Sequence, residues 1–220
     1  LAKALESRGE TDGIAGLAGS TADAESAFEN RARVADLGIV GTGACDVVEE
    51  YADRYYEGGG FAPIQTKRGC PMQCLYCPAP RLEGSAYRYR PMNDVIEEMR
   101  AYAAAWGVRH FFFVDNTFNH PLEHAIEVCE AVLEAGLGVE WFAELSPVAV
   151  TDGLLRKMVE AGCIGVTLTP DACSEAVLTS YRKPFGMAEV RNAVALLNKH
   201  GIPFDTCVIL GGPGETEKTL

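Results

Sequence analysis

The 220-residue chain has no run of apolar residues approaching the ~20 that a bilayer-spanning helix needs. It is short of basic residues, with 19 Lys and Arg against 31 Asp and Glu and a formal net charge of −12. Nucleic-acid binders draw their affinity from Lys and Arg on phosphates, so this balance disfavours a DNA or RNA partner. Its start, Leu1-Ala2-Lys3-Ala4-Leu5-Glu6, lacks the apolar stretch of a secretory signal. It also lacks an initiating methionine, and a segment is expected upstream. What is present is a hydrophobic fraction of 48% against 23% charged residues, the composition of a globular protein with a substantial core.

Three cysteines carry the chemistry: Lys67-Arg68-Gly69-Cys70-Pro71-Met72-Gln73-Cys74-Leu75-Tyr76-Cys77-Pro78. A cubane iron–sulfur cluster normally takes four thiolates, one per iron. The C-x3-C-x2-C spacing supplies three from one loop and leaves one iron open to a small molecule. A zinc knuckle would need paired C-x2-C halves and a fourth ligand, yet the nearest histidine after Cys77 is His110. Cys77-Pro78 echoes the last step of a ferredoxin run, but no further Cys lies near enough to complete one. Cys45, Cys129, Cys163, Cys173 and Cys207 lie scattered in apolar stretches and read as small buried hydrophobes. Cluster-type cysteines imply a reducing compartment, and cytoplasmic localisation is expected.

From residue 61 the pattern alternates strand and helix. The predicted strands are Phe61–Lys67, His110–Val114, Val139–Glu144, Ile164–Leu168 and Pro203–Leu210. The predicted helices run from Met92 to Trp106 and from Pro121 to about Leu133, then from a Thr151 cap towards Gly162, around Ser174–Tyr181, and from Met187 to Lys199 with Gly201 as C-cap. Residues 21–60 read as a linker with short helices over Ala22–Arg33 and Asp46–Tyr56, and Gly41-Thr42-Gly43 as a flexible turn. Five βα steps predict an α/β fold with a parallel sheet, as a barrel or an open doubly wound sheet. Every strand ends in polar residues, and in a barrel those ends share the face where active sites are built.

With these motifs in place, residues 61–220 resemble the core of a radical S-adenosylmethionine (radical SAM) enzyme, a partial (β/α)6 TIM-type barrel with its last unit missing. They are most similar to the cobalamin-binding branch. The likeness rests on the cysteine loop, Glu83-Gly84, Arg88-Tyr89-Arg90-Pro91, Phe113–Asn119, Met158–Cys163 and Leu210–Thr216. Residues 1–20 resemble the tail of an upstream cobalamin domain. The resemblance implies a [4Fe–4S] cluster on Cys70, Cys74 and Cys77, S-adenosylmethionine (SAM) on the open iron, cobalamin held mainly by a domain outside this chain, a small-molecule substrate and a low-potential electron donor such as flavodoxin or ferredoxin. The activity implied is methyl transfer to an unactivated carbon. The alternatives are a radical cyclisation or rearrangement and, in another class, an iron–sulfur electron carrier, which would have no need of polar strand ends.

The same resemblance assigns individual residues. Tyr76 would pack beside the adenine, or be a core tyrosine. Asp115, Asn116 and Thr117 would hold the SAM ammonium, or cap the next helix, a task Asn119 or His120 could also serve. Glu144 and Ser146 would meet ribose or substrate, and Gly211 and Gly212 would admit the adenine or merely form a tight turn. Where the family commonly has Gly-Φ-Glu-Ser-Gly, this chain reads Thr169-Pro170-Asp171-Ala172-Cys173. Asp171 replaces the glutamate while Pro170 removes a backbone donor. Arg81, Arg88 and Arg90 could meet an acidic group or pair with a helix.

Overall fold

A computed structural model describes residues 18–20, 27–29, 51–52 and 54–219. Contacts divide the chain into two compact units, Leu1–Ala35 and Asp36–Leu220. In the first, β1 (Ala18–Ser20) pairs antiparallel with β2 (Ala27–Glu29), Ala18 opposite Glu29. The helix expected over Ala22–Arg33 is therefore corrected at Ala27–Glu29, where cross-strand pairing overrides the local helix preference of Ala and Glu. The expected cobalamin-domain tail and the Gly41-Thr42-Gly43 turn lie outside the described residues, apart from β1. Residues 51–52 and 54–57 are helical, inside or just beyond the expected Asp46–Tyr56 helix.

The second unit runs β3 (Ala62–Ile64), β4 (Lys67–Arg68), α1 (Ala79–Leu82), β5 (Arg88–Tyr89), α2 (Met92–Trp106), β6 (His110–Phe113), α3 (Leu122–Ala135), β7 (Glu140–Leu145), α4 (Asp152–Glu160), β8 (Cys163–Asp171), α5 (Glu175–Ser180), α6 (Met187–His200) and β9 (Phe204–Val208). Five strands form one parallel sheet in the order β3-β6-β7-β8-β9. Strand order follows chain order without the reversal that defines a doubly wound sheet, which decides for an incomplete, unclosed barrel. The helical caps fall where the sequence placed them. Thr151 Oγ1 accepts from Leu154 N–H at 3.2 Å, and Gly107 and Gly201 close α2 and α6 in the left-handed region.

Alternation along the strands separates two faces. Phe111, Phe113, Trp141, Ala143, Leu145, Val166 and Leu168 are buried and share one core with Val95, Met99, Val128, Leu154, Leu155 and Met158 of the helices. Phe112, Phe142, Glu144 and Thr167 are half-buried on the opposite, inner face, with Phe112 and Phe142 in ring contact at 5.8 Å. In β8 the Pro170 nitrogen cannot donate to the ladder, and the register with β9 shifts between Leu168 and Asp171. Asp171 there takes a φ of +66°.

The first strand is shorter than expected, because a buried carboxylate competes for its backbone. Asp115 accepts from Thr66 N–H (2.7 Å) and Lys67 N–H (3.2 Å), from Thr66 Oγ1 (2.5 Å) and from Lys67 Nζ (2.9 Å). Lys67 Nζ also donates to the Phe118 carbonyl at 3.1 Å. Both charged side chains are essentially excluded from solvent, at 1% and 0% exposure. Since the Thr66 hydroxyl proton goes to Asp115, the oxygen must accept from His124 Nε2–H, 2.8 Å away. Burial, then the Lys67 ammonium, pull His124 below its usual range.

Two predictions follow from this network. Asp115→Ala leaves Lys67 buried without its counter-charge and should destabilise the fold by about 3–5 kcal/mol. Asp115→Leu combined with Lys67→Met should cost clearly less than the sum of the two single changes, as read from denaturant unfolding. The second concerns pH. The unfolded chain protonates His124 near 6.5 while the folded chain resists, so the unfolded state binds more protons as pH falls. Stability from this group is complete above about pH 6.5 and is lost below it. His124→Gln should flatten that acid-side decline in a pH series of melts.

Candidate active site

The cysteine loop leaves β4 at the carboxyl end of the sheet, anchored at its start and middle. Cys70 N–H donates to the Gly84 carbonyl at 3.0 Å, and Leu75 N–H to the Tyr181 carbonyl at 2.9 Å. Gly69 has a φ of +95°, and a Cβ there would lie 2.2 Å from the Ala86 carbonyl oxygen, so only glycine fits. Glu83 joins two loops, accepting from Gly69 N–H at 3.1 Å and from the Asn116 amide after β6. Arg90 pairs with Glu98 of α2 at 2.6 Å, the helix-pairing option, and Arg88 donates to the Glu83 carbonyl.

Cys70 is buried, Cys74 and Cys77 are half-buried, and all three are free thiols. Burial pushes the Cys70 and Cys74 thiols up, and the neighbouring cysteines add to it. Cys70 feels Cys77 and Cys74, and Cys74 feels Cys77. Among the described residues no three His, Cys, Asp or Glu side chains gather as around one metal ion. Three free thiols on one loop are the donor type that an iron–sulfur cluster takes.

The structure brings some expected residues together and keeps others apart. Tyr76 donates its hydroxyl to Asp171, and the same carboxylate oxygen binds Lys183 Nζ. The Tyr76 phenol is held well above its usual range, first by burial and then by that hydrogen bond to Asp171. Glu144 lies on the inner face, and burial raises its carboxyl, helped by Asp171 and Asp205. Asn116 is exposed at the rim.

The structure gives several of the expected residues partners within the fold. Asp115 is buried, with its oxygens accepting from Thr66 and Lys67. Thr117 and Ser146 are buried as well. Thr117 donates to the Asn116 carbonyl, and Ser146 is bound through its backbone to the Asn119 amide at 2.8 and 3.0 Å. Asn119 thus staples β6 to β7 and does not cap α3, whose N-cap is Pro121. Gly212 is accounted for by Tyr181, since a Cβ there would meet the Tyr181 hydroxyl at 2.1 Å. Gly211, with a φ of +84°, meets nothing within 4 Å and donates its N–H to Glu215. Cys173 and Cys207 are exposed, not buried, because one follows the β8 bulge and the other sits on the sheet's edge strand. Sequence reasoning missed Tyr181 and Lys183, which lie at and just beyond the end of the helical stretch expected around Ser174–Tyr181. It saw Lys67 and Glu83 only as members of motifs.

A three-cysteine loop at the carboxyl end of a parallel, barrel-like sheet defines the class, and comparison with known proteins agrees. The Radical SAM superfamily pattern matches residues 64–220. The chain belongs to the radical SAM superfamily. An uncharacterised methyltransferase of Pyrococcus horikoshii is 27% identical over 169 residues, 76% of this chain and 37% of its own length. The bacteriochlorophyllide d C-12(1)-methyltransferase of Chlorobaculum tepidum is 28% identical over 164 residues, 72% of this chain and 35% of its own. The chain thus spans about a third of the length of the curated relatives it matches. Among solved structures, the radical S-adenosylmethionine methyltransferase TsrM from Kitasatospora setae, with cobalamin and a [4Fe–4S] cluster bound, shares the fold. Its TM-score is 0.79 at 21% identity, covering 99% of this chain and 45% of that one. No helix among the described residues is long and apolar enough to cross a membrane.

Burial sorts the thiols, which gives a test. Cys129 and Cys163 are buried with thiols pushed up to about 12. Iodoacetamide at pH 8 should modify Cys173 and Cys207 first and reach Cys129 and Cys163 only in denaturant, as mapped by peptide mass spectrometry.

Proposed function

We propose that Cys70, Cys74 and Cys77 hold a [4Fe–4S] cluster that binds SAM at its open iron. In this reading the whole protein uses cobalamin to transfer a methyl group to carbon in a small molecule, with a low-potential donor supplying electrons. The observation that carries it is the cysteine loop clamped over the strand ends, in a chain with several relatives named as methyltransferases. When bound, the cluster supplies an electron and SAM a radical or a methyl group, chemistry that the protein only orients and shields.

The chain's own residues have separable tasks. Glu83 fixes the cysteine loop against Asn116, whose amide oxygen stays available to accept from an ammonium. Tyr76 presents a half-exposed ring whose hydroxyl is tied down, a flat surface of fixed orientation. Glu144, whose carboxyl is raised by burial, places a carboxyl on the inner face within reach of a ribose or substrate hydroxyl. Asp115, Thr117 and Ser146 stay behind this layer and hold the strand ends in register.

Anaerobic reconstitution should give about four irons per chain, and Cys74→Ala should abolish the cluster. Stoichiometric zinc that persists against iron and sulfide would end the cluster reading. With SAM labelled in its methyl group, a reductant and candidate substrates, label should appear in product together with S-adenosylhomocysteine. Formation of 5′-deoxyadenosine while all label stays in SAM and methionine would replace methyl transfer with the cyclisation or rearrangement reading.

A further inference from the structure

Residues 181–185 clasp the middle of the cysteine loop. Besides the Leu75–Tyr181 backbone bond, the Tyr181 ring meets the Tyr76 ring edge-on with centroids 5.3 Å apart. Lys183 carries its ammonium over the Tyr76 ring at 5.2 Å and over the Phe185 ring at 5.5 Å. Its side chain is 6% exposed, and the Asp171 carboxylate that neutralises it is 12% exposed. Tyr76 hydroxyl and Lys183 Nζ share one oxygen of that carboxylate. A buried ion pair is seldom a gain in stability over apolar packing, and apolar side chains surround this one. Its placement, against Tyr76, two residues after Cys74 and one before Cys77, points to an electrostatic task.

We propose that Lys183 and Asp171 form an opposed pair of fixed charges that sets the reduction potential of the cluster, Lys183 raising it and Asp171 lowering it. This rests on the cluster assignment made above. Reduction adds one electron from an external low-potential donor and breaks no bond. A fixed cation nearby therefore favours the reduced cluster, and a fixed carboxylate the oxidised one. Cluster potentials respond to local charge, hydrogen bonding and exposure, and burial strengthens both fields relative to water. Both charges are held on Tyr76, next to Cys77 in the chain: its ring lies 5.2 Å from Lys183 Nζ and its hydroxyl donates to Asp171. Tyr76, itself a loop residue, holds the pair against the loop through its ring and its hydroxyl.

The test is a redox titration of the whole protein, reconstituted anaerobically without SAM and followed by the electron paramagnetic resonance signal of the reduced cluster. Lys183→Met should lower the ratio of reduced to oxidised cluster at a fixed potential roughly ten-fold, a shift of about 59 mV for a one-electron couple. Lys183→Arg should stay near the parent, and Asp171→Asn should shift the other way. Asparagine can still accept from Tyr76 and Lys183, so Asp171→Asn decides the matter by itself if Lys183→Met loses its iron. Unmoved potentials at full iron content, or shifts of one sign in both variants, would overturn the proposal. A parent protein that takes up no iron would sink the cluster assignment instead, which iron analysis reads separately.

Discussion

The buried Lys67–Asp115 ion pair is the constraint on which the rest of this structure depends. Every backbone N–H in a folded chain needs an acceptor, and in an ordinary strand Thr66 and Lys67 would look to a neighbour in the sheet. Asp115 takes both of them. The first strand therefore stops at Ile64, and Lys67–Arg68 is free to pair with Arg88–Tyr89. That turn launches the cysteines across the end of the sheet and keeps them from continuing along it. The same carboxylate neutralises the lysine that would otherwise be intolerable inside the protein, so one interaction sets strand length, loop direction and charge balance together.

A loop that carries three ligands is useful only if it is held, and loops are less rigid than strands. Here the support comes from several parts of the fold. Glu83 and Gly84 fix the start, Asn116 ties it to the strand β6, and Tyr181 grips the middle. Tyr76 then reaches Asp171, at the end of β8. The ligand loop is thus braced against segments following two different strands, and movement of any one of them would be felt at the sulfurs.

The inner face of the sheet completes the picture. It is lined by Phe112, Phe142, Glu144 and Thr167, half-covered and backed by a fully packed helical layer. In β/α barrels this side, at the carboxyl ends, is where substrates are met. Glu144 carries a carboxyl on this half-covered face that burial raises, with Asp171 and Asp205 adding to the shift. In an acidic chain the buried cations Lys67 and Lys183 stand close to the cysteine loop, where clustered thiolates most need them.

The sequence by itself determined the parts that are local. The cysteine spacing needs no fold to be recognised. Helix periodicity and the Thr151, Gly107 and Gly201 caps depend on neighbours within a few residues, and strand–helix alternation fixed the order of elements and the parallel sheet. Tertiary structure decided which polar groups face a ligand and which face one another. Asp115 looked like a binding residue because it ends a strand, yet its partners lie 48 and 49 residues away. Asp171 meets Tyr76 across 95 residues, and Gly212 is explained by Tyr181, which no spacing links to it. Periodicity is a property of one segment, whereas hydrogen-bond satisfaction belongs to whatever the curvature of the sheet brings within 3 Å. A polar residue at a strand end therefore announces its chemistry in the sequence, but only the packed sheet determines whether that chemistry is left free.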